Sequence, residues 1–148
     1  MRTVYLDSSS LVKRYISEPG SDTLDAVYRE AERGRIKIAF SIWNIGETIG
    51  VIDRKERLGK IGQQESTNVI IDLIGETRKM SMMNNLQMYP VSMEVLWRSW
   101  LLSIKHHIYV ADATQIQTAK EAKAEYLLTF DKDLMDVAEK EDFITIYQ

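Results

Sequence analysis

Five short runs rich in β-branched and aromatic residues recur along the chain: "TVYL" (3–6), "IKIAF" (36–40), "LQMYPV" (86–91), "YLLTF" (126–130) and "FITIY" (143–147). Between them lie segments with helical periodicity, near 8–18, 21–33, 42–58, 62–83, 92–106, 110–124 and 132–140. Strands that alternate with helices cannot pair as hairpins, so they stack side by side in parallel with helices covering both faces. The expected fold is a three-layer α/β/α architecture around a mainly parallel central sheet of about five strands. Gly20, Gly34, Gly59 and Gly62 fall between the helical segments, where stops and turns belong. With 148 residues, 45% of them apolar, the chain has the size of one domain with one core, spanning 1–148.

Composition removes several chemistries. The chain has no cysteine, which excludes disulfides, thiolate zinc sites and cysteine nucleophiles and suits a reducing compartment. Asp7 interrupts the start before a signal-peptide apolar region can form, and no run of 18 apolar residues occurs. A soluble, cytoplasmic protein without a membrane partner is expected. The formal net charge of -3, from 22 acidic and 19 basic side chains, does not describe a protein that coats nucleic acid by charge alone. A nucleic-acid partner then requires a local basic surface or bound cations. The densest basic stretch is "DRKERLGK", with Arg54, Lys55, Arg57 and Lys60, and it reads equally as a solvated helix end.

In open parallel sheets, reacting groups gather beyond the carboxyl ends of the strands. Asp7 ends the first strand, and Asp131 follows "YLLTF" directly. Asp112 lies in the first turn of a helix, where the macrodipole stabilises a carboxylate. Glu47 sits mid-helix, nearly opposite a stripe of Ile42, Ile45, Ile49 and Ile52 and level with Trp43 and Arg54. Taken singly, each acid has an ordinary explanation as a helix cap or a solvated residue. As a set they would repel one another and raise one another's pKa values unless a divalent cation compensated. Oxygen donors without histidine or cysteine select Mg²⁺ or Mn²⁺.

"YLDSSSLVKRY", the acid in "IGETIG", "ADATQIQTA" and "LLTFDKDL" resemble, in type, order and spacing, the four acidic blocks of PIN-domain ribonucleases, in particular the compact VapC-type toxins of toxin–antitoxin pairs. The resemblance runs from residue 3 to about 147, with 40, 65 and 19 residues between successive acids. It implies a PIN-like fold and a metal-dependent endoribonuclease whose acidic site is Asp7, Glu47, Asp112 and Asp131, holding one or two Mg²⁺ or Mn²⁺ ions. Ser9 and Thr129 match small hydroxyl positions that would contact those acids or the substrate, and Asp133 is close enough to share the role of Asp131. An RNA substrate, a small separate antitoxin protein and a homodimer are implied as well. Arg54, two turns beyond Glu47, is placed to hold the RNA backbone.

Other readings keep the same residues. A phosphatase using Asp7 as nucleophile needs a second acid two residues later, and position 9 is a serine. A housekeeping RNA-processing nuclease, or a PIN-like module that binds RNA or protein without cleaving, remains open. His106 and His107 read as helix-end residues facing the dipole, Trp97 and Trp100 as core or interface packing, and Lys13 and Arg14 as either a solvated face or a phosphate contact.

Overall fold

The computed structural model describes residues 1–146. The strands are β1 (Arg2–Leu6), β2 (Ile36–Ser41), β3 (Leu86–Tyr89), β4 (Tyr126–Leu128) and β5 (Ile144–Ile146). The helices are α1 (Ser8–Tyr15), α2 (Ser21–Glu32), α3 (Trp43–Arg57), α4 (Gln63–Met82), α5 (Met93–His106), α6 (Val110–Glu121) and α7 (Lys132–Lys140). All four strand pairings are parallel, in the order β3-β2-β1-β4-β5. The sheet therefore grows outward from β1, first through β2 to β3 and then, on the other side, through β4 to β5. A crevice opens where the direction reverses, between the carboxyl ends of β1 and β4.

Alternation along each strand divides the core into two layers. Val4 and Leu6 of β1, Ile38 and Phe40 of β2 and Leu128 of β4 pack with Leu11, Leu24, Tyr28, Leu73 and Met80 from α1, α2 and α4. Tyr5, Ala39 and Leu127 point to the opposite face, against Leu102, Ala113, Ile116, Leu134 and Val137 from α5, α6 and α7. Because both faces are covered, "TVYL" and "YLLTF" read as continuous apolar runs.

Several expected boundaries shift for visible reasons. Helix α1 stops at Tyr15 rather than near 18, since Ile16 turns extended and Ser21 closes the turn by accepting from Glu18 N and donating to Ile16 O. Gly20, at φ +99, lies so close to Phe130 that a Cβ would stand 2.5 Å from the ring. Strand β4 ends at Leu128 rather than 130, and β5 begins at Ile144 rather than 143; residue 147 lies outside the described residues.

One packing expectation is corrected, and a second, core or interface packing of Trp97 and Trp100, is narrowed to its interface half. Ile42 is 53% exposed, and the buried positions of α3 are Asn44, Thr48 and Ile52, with Ile45 and Ile49 only partly covered. Trp97 and Trp100 are not in the core: they are 63% and 53% exposed, their ring centroids 5.7 Å apart, because α5 buries Val95, Ser99 and Leu102 instead. His106 is the helix-end residue its position suggests. It joins Lys105 and Lys120 around Glu141, tying the ends of α5, α6 and α7 together. Burial pushes the Glu141 carboxyl up, but hydrogen bonds from His106, Lys105 and Lys120 outweigh it and bring it down to about 2.

Candidate active site

The first residue after β1 carries the site. Asp7 is the N-cap of α1 and is 4% exposed, so its carboxylate is out of water at the sheet's carboxyl end. Its Oδ1 accepts from Ser10 N at 2.9 Å and Ser10 Oγ at 2.8 Å, its Oδ2 from Thr129 Oγ1 at 2.6 Å, and Ser9 Oγ lies 2.9 Å from both oxygens. Burial pushes the carboxyl above its usual value, and the hydrogen bonds from Thr129, Ser10 and Ser9 only partly offset that. Thr129 and Ser9 also accept from Asp131 N and Phe130 N, both at 3.0 Å, which binds the β1 end to the segment after β4. The three serines therefore do more than start a helix.

The other three acids reach the same place from separate elements. Asp7, Glu47, Asp112 and Asp131 line one cleft of about 170 Å³, together with Ser8, Ser9 and Gln115. Glu47 Oε1 accepts from Ser8 Oγ at 2.7 Å, across from α3 to α1. Asp131 caps α7, its Oδ1 accepting from Asp133 N at 2.9 Å and Leu134 N at 3.3 Å. Asp133 is exposed and does not line the cleft, although its charge is felt there. The Asp112 carboxyl is raised first by burial and then by the charges of Asp131, Asp7, Glu47 and Asp133. The ordinary reading of each acid and the collective one are thus both present: Asp7 and Asp131 are helix caps and share a field with Glu47 and Asp112.

Beside this cleft runs a groove of about 610 Å³ between α1 and α3, sharing Ser8, Ser9 and Glu47 with it and lined further by Lys13, Arg54 and Phe130. Arg54 is exposed there. Lys13 is paired with Glu18 at 3.0 Å and stands over the Phe130 ring. Arg14 is not a phosphate contact: Asp25 and Glu76 hold it at 2.6 Å each, locking α1 to α2 and α4. Sequence reasoning missed the buried amides below the acids. Asn44 and Gln115 stand on helices at positions that look like solvated polar residues, and the burial of both side chains marks the difference.

Residues 4–140 match the PIN domain family. The chain belongs to the PIN-domain family. No curated protein sequence matches it. Among solved structures, this PIN domain is similar to VapC20 from Mycobacterium tuberculosis, a sarcin-ricin loop cleaving toxin, with 12% identity and a TM-score of 0.66, covering 95% of this chain and 96% of that one. It is similar to FitAcB from Neisseria gonorrhoeae, with 13% identity and a TM-score of 0.69, covering 97% and 96%. It is also similar to VapBC2 from Rickettsia felis, bound to a DNA fragment from their promoter, with 13% identity and a TM-score of 0.62, covering 97% of each chain.

The donor chemistry of this PIN domain's cleft suits a hard divalent cation. Its charged donors are carboxylate oxygens alone, and their mutual repulsion is what an ion would relieve. Among the described residues, no three His, Asp or Glu groups form a ready-made cage. Three of the acids are engaged by the protein itself: hydroxyls hold Asp7, Ser8 holds Glu47, and amides of α7 hold Asp131. The acids share a cleft and a field rather than a single coordination sphere.

Proposed function

We propose that this PIN domain is a Mg²⁺- or Mn²⁺-dependent endoribonuclease and the toxin of a toxin–antitoxin pair. The observation that carries the reading is the convergence of four carboxylates from four elements on one cleft, where burial first and then the other three disfavour the charge of Asp112. Asp7, Glu47, Asp112 and Asp131 would hold one or two ions. When bound, these supply a hydroxide at neutral pH and neutralise charge at the phosphodiester. Ser9 and Thr129 fix the direction of the Asp7 carboxylate, and Arg54 takes the RNA backbone in the adjoining groove. In-line attack of water breaks the P–O3′ bond, leaving a 3′-hydroxyl and a 5′-phosphate.

The toxin role rests on the family and on neighbours such as VapC20, named as a cleaving toxin, and VapBC2, found on promoter DNA. A small antitoxin protein is the partner this role requires. Homodimerisation we assign to the apolar face of α5, where Met93, Trp97, Trp100, Leu101 and Ile104 are all exposed. Among the described residues no helix is long and apolar enough to cross a membrane. The test is cleavage of single-stranded RNA by the purified chain with Mn²⁺, abolished by chelator, with product ends read directly, together with slowed growth of a host that expresses the chain alone. No cleavage with any divalent ion would leave a binding module. Cleavage without a growth defect would leave a housekeeping nuclease.

Glu47 and Arg54 separate the two halves of the mechanism. Glu47→Gln is expected to cost about 10- to 100-fold in Mn²⁺ affinity and most of the activity, since an amide oxygen lacks the charge a hard cation prefers. Arg54→Ala should leave Mn²⁺ affinity unchanged, raise KM for RNA and reduce the salt slope of binding by about one. Titrations and cleavage rates that superimpose on wild type for both variants would remove α3 from the site.

A further inference from the structure

A chain of buried amides runs beneath the acids. Tyr5 OH donates to Gln115 Oε1 at 2.8 Å, Gln115 Nε2 to Asn44 Oδ1 at 2.7 Å, and Asn44 Nδ2 to the Leu6 carbonyl at 2.9 Å. Tyr5 and Asn44 are fully buried and Gln115 is 5% exposed. The direction of the chain follows from its end. A backbone carbonyl can only accept, so Asn44 must turn its NH₂ to Leu6 and its oxygen to Gln115. Gln115 must then give its NH₂ to Asn44 and its oxygen to the tyrosine hydroxyl.

Each link sits beside one acid. Leu6 precedes Asp7, Asn44 lies one helical turn before Glu47 on α3, and Gln115 lies one turn after Asp112 on α6. Burying two primary amides and a phenol is unfavourable unless every one is partnered, and a hydrophobic trio of the same size would pack there without that requirement. The three elements joined are three of the four that carry the acids.

We propose that Asn44 and Gln115 are positioning residues, a rigid amide bridge that sets the spacing of Asp7, Glu47 and Asp112 and thereby the affinity of the cleft for a divalent cation. The inference rests on the metal-nuclease reading above. In it, the bridge limits how far the like charges can move apart, so that less rearrangement is needed when an ion gathers them.

The experiment compares Gln115→Met with Tyr5→Phe in the full chain, by calorimetric titration with MnCl₂ without RNA and by thermal melts in chelator. Both variants break one buried hydrogen bond of the chain or more, and both should lower the melting temperature by several degrees. They differ at the site. Tyr5→Phe leaves Gln115, Asn44 and Leu6 connected and should bind Mn²⁺ within about twofold of wild type, whereas Gln115→Met parts α6 from α3 and should lose about 10- to 100-fold in affinity. A merely structural chain predicts similar melting shifts and no difference in affinity, and that outcome overturns the proposal. Should Gln115→Met not fold, Gln115→Ala, which favours the helix, is read in the same way with the same expectation. A wild-type chain that binds no Mn²⁺ overturns the metal reading and the bridge with it. Wild-type binding that Gln115→Met and Gln115→Ala leave intact overturns the bridge alone.

Discussion

Asp7→Asn is expected to lower kcat/KM for RNA by at least about 10³-fold, roughly 4 kcal/mol of transition-state stabilisation, while raising the melting temperature of the metal-free protein at neutral pH. The two effects have one cause. The carboxylate is buried, and burial outweighs the hydrogen bonds from Thr129, Ser10 and Ser9, so its folded-state pKa lies above 3.8. A carboxyl with a raised folded pKa binds protons more tightly in the native state. Stability from this group is therefore lost as pH climbs from about 3.8 through the folded value, and is restored on acidification. Asparagine has no charge to bury, keeps an oxygen for the Ser10 N–H and meets hydroxyls that can rotate to accept its NH₂. Melts in chelator across pH 4 to 8 should show the variant ahead at neutral pH and the gap closing toward pH 4. With Mn²⁺ added the order should reverse, because the wild type gains stability from the ligand and the variant gains little. Cleavage at the wild-type rate would sink the site assignment. A metal-free variant that melts lower than wild type at neutral pH would make Asp7 a structural cap whose hydrogen bonds win over burial.

The parts legible in the sequence were those with a strong local cause. Strand runs such as "TVYL" lie between two helix layers, so their apolar character is continuous and their ends sharp, and an acid directly after such a run is conspicuous. Asp7 and Asp131 were readable for that reason, and Asp112 for its place in a first helical turn. The isoleucine stripe that sets Glu47 on the opposite side of α3 is only partly the buried face, and it is the family resemblance that assigns Glu47 to the acidic site. The face of α3 that turns inward is centred on Asn44, Thr48 and Ile52. A helix can bury an asparagine only because a carbonyl from β1 and an amide from α6 meet it there, and neither is near it in sequence. Periodicity weighs one helix at a time and cannot register such a partner. The same limit explains Trp97 and Trp100: aromatic spacing alone says that a face wants cover, not that the cover comes from the same chain.

Asp112→Asn tests the field rather than the cap. Asp112 stands in the first turn of α6, where the macrodipole favours a negative charge, yet burial and then Asp131, Asp7, Glu47 and Asp133 raise its carboxyl above the usual value. The unfavourable effects win, so of the acids around the cleft this is one whose ionisation a cation should most promote. Mn²⁺ binding to the wild type is therefore expected to release protons and to tighten as pH rises through the raised Asp112 value. Calorimetry in buffers of different protonation enthalpy measures that release. The variant has no proton to give: its affinity should fall by about 10- to 100-fold, its proton release should shrink, and its pH dependence should flatten. RNA cleavage should fall by about 10³-fold or more, in line with loss of a charged ligand. Asp112 is half-buried where Asp7 is fully enclosed, so the gain in metal-free melting temperature should be the smaller of the two. Affinity and proton release unchanged from wild type would mean that Asp112 serves the helix dipole alone. The cleft would then have to gather its charge from Asp7, Glu47 and Asp131 without it.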